Sequence, residues 1–179
     1  MKYFTPERLV RLQDHSDEQQ FLAALDDWEN TLKDYQQQLS AILQHMRAIG
    51  PRIPAFLRFF RTVSLHDARV LDMYCGGLSR FRITLHPEFQ PERLVILTYS
   101  LAQPPQIERN VLPERIRSEP ITWLYDELAL EDRTGKEKPM FRHTILLSDG
   151  SEVQLRFRSV AVERPVPVVP AVPATSGSQ

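Results

Sequence analysis

The residues of this chain best suited to proton transfer or metal binding are His66, Asp67, His143 and the neighbouring carboxylates Asp126 and Glu127. A carboxylate beside an imidazole can orient it as a base or support it as a metal ligand, and His66 and Asp67 are adjacent. His143 lies on another predicted strand and offers a third member. A small hydrolase or metal-dependent enzyme built on His66, Asp67 and His143 requires those side chains to converge within about 5 Å in a cleft, with perturbed titration. A plainer reading competes, in which Asp67 caps a turn and His66 makes a local hydrogen bond. The sequence holds no spaced ligand set such as H-E-x-x-H, no Gly-rich phosphate loop and no G-x-S-x-G elbow. No metal or cofactor is therefore expected.

Asp126 and Glu127 follow Trp123 and Tyr125. Adjacent residues of a strand point to opposite faces, so these two carboxylates cannot form one acid–base pair. A solvated or sheet-edge role is expected for them. Cys75 is the single cysteine and precedes Gly76-Gly77. A glycine turn can expose a nucleophilic thiol, but a lone cysteine at a strand end more often fills a small buried space. One thiol forms no internal disulfide and no cysteine-rich zinc site, which fits a reducing compartment.

Arg80, Arg82, Arg142, Arg156 and Arg158 all fall on predicted strands. Aligned on one sheet face they would form a basic stripe for phosphate or RNA. The 22 basic and 23 acidic residues nearly cancel, however, and no aromatic interleaving accompanies the arginines. Nucleic-acid binding is not the expectation. No apolar run reaches about 18 residues, so no membrane span is predicted. The first residues lack the apolar core of a signal peptide, and a cytoplasmic location is the expectation.

These residues must be held by a scaffold, and its clearest element is a long helix. Phe21, Leu25, Trp28, Leu32, Tyr35, Leu39, Ile42, Met46 and Ile49 step alternately by 4 and 3. That is the seam of a helix with a 3.5-residue period, which must be buried against its own chain or a partner. Ser16 and Gln19 suggest its capping box, and Gly50-Pro51 its end. Over 17–49 such a helix is roughly 50 Å long. Trp28, Leu32, Tyr35 and Leu39 are the seam residues suited to anchor an interface, by self-association or with a protein partner. Thr5-Pro6 opens a short helix before it. Phe56, Leu57, Phe59 and Phe60 mark a helix over 55–62 too apolar for solvent, and expected to plug the junction between the long helix and the strands.

Beyond Leu65 the period changes to two. Strands are predicted at 70–74, 80–85, 93–101, 121–130, 140–147 and 152–162. The last two flank Ser148-Asp149-Gly150-Ser151, a hairpin signal. The stretch 104–119 reads as irregular, 136–138 as a charged loop, and the Pro-rich residues from Arg164 onward as a disordered tail. The chain thus divides into a helical segment at 1–63, an antiparallel domain at 64–163 and the tail at 164–179. Helices succeeded by strands predict an α+β fold, a long helix with a mainly antiparallel sheet of five to six strands.

The opening Leu65-His66-Asp67-Ala68-Arg69-Val70 and the close Ile145-Leu146-Leu147-Ser148-Asp149-Gly150, with Glu152 and Leu155-Arg156-Phe157, resemble small bacterial domains of an LHDxxV type. Similar openings occur among immunity proteins of polymorphic toxin systems. The resemblance covers about 65–162. It implies a bacterial, non-enzymatic protein that engages a protein partner, and it brings no catalytic residue. The expectation is an interaction module that uses its long helix or an exposed sheet edge. The hydrolase on His66, Asp67 and His143 and RNA binding through the arginines are the alternatives.

Overall fold

The computed structural model describes residues 1–50, 53–88, 93–114, 116–131 and 139–164. Pro51, the predicted charged loop at 136–138 and the tail at 165–179 lie outside the described residues. Three helices precede seven strands: α1 (Pro6–Leu12), α2 (Glu18–Ile49), α3 (Ala55–Thr62), β1 (Arg69–Cys75), β2 (Arg80–His86), β3 (Val95–Leu101), β4 (Gln106–Arg109), β5 (Trp123–Leu130), β6 (Phe141–Leu147) and β7 (Ser151–Glu163). The fold is α+β with an antiparallel sheet, as its patterning predicts. β4 is an addition, four residues within the stretch read as irregular.

The helix ends obey local chemistry. Thr5 accepts from the Arg8 N–H and Pro6 occupies the first turn of α1. Asp17, not Ser16, caps α2, accepting from the Gln20 N–H at 3.0 Å. The Gln20 side chain reaches back to the same carboxylate at 3.2 Å, so the capping pair sits one residue later than predicted. Gly50 ends α2 in extended backbone rather than in a left-handed cap.

The sheet runs β1-β2-β3-β7-β6-β5, with β4 beside the first half of β7. It curls until its ends meet. The Asp67 N–H donates to the Trp123 carbonyl at 2.8 Å, Trp123 N–H to Ala68 at 2.9 Å and Val70 N–H to Ile121 at 2.9 Å. This contact touches only the start of β1. Gly150 makes the β6–β7 turn at φ +87°, and a Cβ there would fall 2.1 Å from the Asn110 carbonyl. That position requires glycine for both conformation and space.

The alternation along the strands divides the side chains into two layers. Phe81, Ile83, Leu85, Leu97, Tyr99, Trp123, Phe141, Ile145, Leu155 and Phe157 fill the inside of the curl. α3 closes it, with Phe56 edge-on to Phe141 and Phe157 at 5.1 and 5.5 Å between ring centroids. The plug predicted from the apolar 55–62 segment is in place. A smaller outer layer of Leu9, Leu112, Ile116, Leu124 and Leu146 packs under α1. A bulge between Trp123 and Tyr125 turns Leu124 towards this outer layer. Among the described residues, no helix is long and apolar enough to cross a membrane.

The seam of α2 meets two surfaces in turn. Ile42 and Met46 enter the inner core, whereas Trp28 packs on Phe4 and Tyr125, with centroids 5.3 and 4.9 Å away. Ala24, Thr31 and Leu43, outside the 4-3 ladder, are also buried. Leu25 and Leu32, within it, are each 36 % exposed. The helix crosses from the N-terminal aromatic cluster to the mouth of the curl, so no single stripe stays buried along its length.

Candidate functional site

β5 and β6 pair so that Leu128 faces His143, and both point inward. The same parity sends Asp126 to the inside and Glu127 to the outside, as alternation requires. Both sit on the terminal strand of the sheet, as the sheet-edge expectation has it, but neither is simply solvated. Glu127 is buried and accepts the backbone N–H groups of Lys2, Tyr3 and Phe4, the first and last at 2.8 Å. It fixes the N-terminal segment across the outer face.

Asp126 belongs to a chain of polar groups running into the core. Its Oδ1 accepts from Trp123 Nε1 at 3.0 Å and its Oδ2 meets His143 Nε2 at 2.9 Å. His143 Nδ1 lies 2.8 Å from the Tyr99 hydroxyl. Tyr99, His143 and Trp123 are all 0 % exposed. Burial, reinforced by the Asp126 charge, pushes the Tyr99 phenol well above its ordinary range, so it keeps its proton. Among the described residues the only acceptor for that proton is His143 Nδ1. Asp126 thus meets a ring nitrogen of His143 through one oxygen and the Trp123 indole through the other.

The sequence-predicted acid–base residues fall into two pairs. His66 Nε2 lies 3.3 Å from Asp67 Oδ2, its Nδ1 donates to the Leu124 carbonyl, and its ring rests on Tyr125 at 4.7 Å. Asp67 has φ +62°. That left-handed turn agrees with the plainer reading of Asp67 as a turn residue. His143 is joined instead to Asp126 and Tyr99, and the ring of Phe60 covers it at 4.6 Å. No described hydrogen bond or ion pair links the two pairs. Asp126, not Asp67, is the carboxylate of His143. Strand parity carried that information, because residues 126 and 143 both fall on the inward phase, but the register that brings them together is not written in the local sequence.

His66 and Asp126 nevertheless line one pocket of about 420 Å³ between α2, β5 and the segment linking α3 to β1. Leu32, Tyr35 and Leu39 of the α2 seam line it too, with Phe60 and Tyr125. Three of the four residues expected to bind a partner thus share a cavity with His66. Trp28 stands beside it, against Tyr125. Tyr35 also accepts the Leu128 N–H at 2.9 Å, and the Gln38 amide donates to the Leu128 carbonyl at 2.8 Å. These side chains of α2 take the place of a neighbouring strand at the open edge of β5. Burial drives the Tyr35 phenol far up, with Asp126 adding to it, and burial with the Asp67 charge raises Tyr125 to about 12.

Among the described residues, no strand lies along most of the other edge of the sheet. β1 pairs with β2 throughout, and its far side meets 121–123 only at its start. Leu71, Met73, Tyr74 and Leu78 are exposed there, Tyr74 by 56 % and Leu78 by 76 %. Cys75, read from sequence as a small buried residue, is exposed on the same strand. Arg142 and Arg156 face each other across β6 and β7, and three of the strand arginines have carboxylate partners. Arg82 lies 3.4 Å from Asp72, and Arg142 and Arg156 reach Glu131 at 3.7 and 3.1 Å.

No protein-family model matches the chain, and no curated protein matches it.

Proposed function

We propose that this chain is a non-enzymatic bacterial protein-interaction module, cytoplasmic, which takes up an extended segment of a protein partner along the bare edge of β1. The carrying observation is the asymmetry of the two sheet edges. On the β5 edge α2 packs alongside, and Tyr35 and Gln38 take the N–H and C=O of Leu128. The β1 edge beyond Val70 has no described strand beside it and presents Leu71, Met73 and Tyr74. An uncovered apolar edge is a template for strand pairing, and proteins that do not use such an edge blunt it with charge, proline or a covering element. Strand addition supplies affinity through backbone hydrogen bonds and specificity through the alternate side chains. An immunity-type role, with the bound strand belonging to a toxin, is the narrower form of this proposal and rests on the sequence resemblance.

The exposed seam residue Leu32 offers a secondary contact, whereas Trp28, Tyr35 and Leu39 are engaged within the fold. The test is affinity capture from the source cells with the wild-type chain and with a Leu71→Glu/Tyr74→Glu variant. The wild type recovers a stoichiometric protein partner that the variant loses while keeping its circular dichroism spectrum. Equal recovery by both would place the contact elsewhere.

A further inference from the structure

Asp126 has a property that the edge does not use. It is a carboxylate with 22 % of its side chain exposed, its partners are His143 and Trp123, and it faces an aromatic pocket. Among the described residues no Lys or Arg comes within ion-pair range of it. A carboxylate in this setting has no Lys or Arg beside it, and the surrounding protein screens it less than water would. Tyr35, Phe60 and Tyr125 line the same cavity, and aromatic faces attract cations.

We infer that this pocket binds an organic ammonium ion on an apolar stem, with the ammonium against Asp126 and the stem between Tyr35, Leu39, Phe60 and Tyr125. The cavity, about 420 Å³, is of the size that takes a small ligand. The relay behind Asp126 holds the carboxylate in place. Tyr99 meets the far ring nitrogen of His143, and His143 with Trp123 occupies the inner side of Asp126, leaving its outward side for a donor from the pocket. His66 does not compete for the anion, since its Nδ1 proton is committed to Leu124 and its Nε2 faces Asp67. Arg61, exposed on the same pocket, opposes a cation. The charge is thus fixed at the wall and tuned at the opening.

The experiment is a nuclear magnetic resonance titration of the full chain with pentylammonium, 1-pentanol and pentanoate, which share a stem and differ in charge. Pentylammonium should shift the Trp123 indole N–H, which is bonded to Asp126, and bind at least about tenfold more tightly than the alcohol. Pentanoate should leave that resonance in place. Arg61→Ala should tighten binding of the ammonium several-fold, and Asp126→Asn should remove it. Asp126→Asn also disturbs the contact with His143, so the wild-type comparison of the three probes decides. An Nα-acetyl-lysine methylamide arm separates the sources: binding equal to pentylammonium assigns the site to a lysine side chain, and much weaker binding assigns it to a free amine. Equal binding of alcohol and ammonium would overturn the inference. So would ammonium-induced shifts that avoid the Trp123 indole.

Discussion

At the scale of single residues, the structure turns on the buried polar atoms of Tyr99, His143 and Glu127 and their partners. Tyr99→Phe removes the donor to His143 Nδ1 and leaves that nitrogen buried. The variant should lose about 1–3 kcal/mol, read from urea unfolding, although it deletes one oxygen from a residue whose ring packing is unchanged. Glu127→Ala strands the N–H groups of Lys2, Tyr3 and Phe4 and should cost about 3 kcal/mol, whereas Glu127→Gln keeps one acceptor and should cost less. Tyr35, Tyr99 and Tyr125, all raised above the ordinary phenol value of 10 by burial, make stability depend on alkaline pH. In the unfolded chain they ionise near pH 10, while the folded chain holds them protonated. Their contribution is therefore intact below pH 10 and declines as pH rises, with Tyr125 levelling off near 12. The urea midpoint should fall from pH 10 upward, and a midpoint constant from about pH 9 to 11.5 would contradict this. The candidate acid–base types were legible in sequence. Their pairing was not, because Asp126 meets His143 across a strand register, whereas the adjacent His66-Asp67 advertises itself by proximity alone.

At the scale of elements, α2 shows what periodicity conveys and what it omits. The 4-3 ladder identifies the helix, and its end at Ile49 matches the structure. It does not reveal that the helix passes over two different surfaces, nor that Ala24 and Thr31 are buried outside the ladder. The consequence is a split in mutational cost along one seam. Met46→Ala opens a cavity in the inner core and should cost about 2–4 kcal/mol. Leu32→Asp, at a partly exposed position, should cost under about 1 kcal/mol in the same unfolding assay. Comparable costs at both positions would mean that the seam is buried uniformly. The strands were more fully legible, since alternation and the Asp149-Gly150 turn place β6 and β7 to within a residue or two. β4 escaped because four exposed residues between prolines carry no alternation signal; only the neighbouring β7 makes them a strand.

At the scale of the whole molecule, the curl of the sheet decides which surfaces are available. It brings the start of β1 against 121–123, buries the relay and leaves the rest of β1 open. Sequence reading predicts the antiparallel sheet but not its curl, which arises from twist accumulated over six strands and from the α3 plug. Hence it names a sheet edge as a docking surface without saying which edge. Under the proposal the open β1 edge is the docking surface, and a partner strand on it would extend the sheet. The most direct measurement of this claim is amide hydrogen exchange on the chain alone and in the stoichiometric complex recovered with it. The amides of Met73 and Cys75, which alternate away from β2, should exchange rapidly in the free chain and become protected in the complex, with those of β5 unchanged. Protection confined to α2, or no change at Met73 and Cys75, would contradict strand addition at β1.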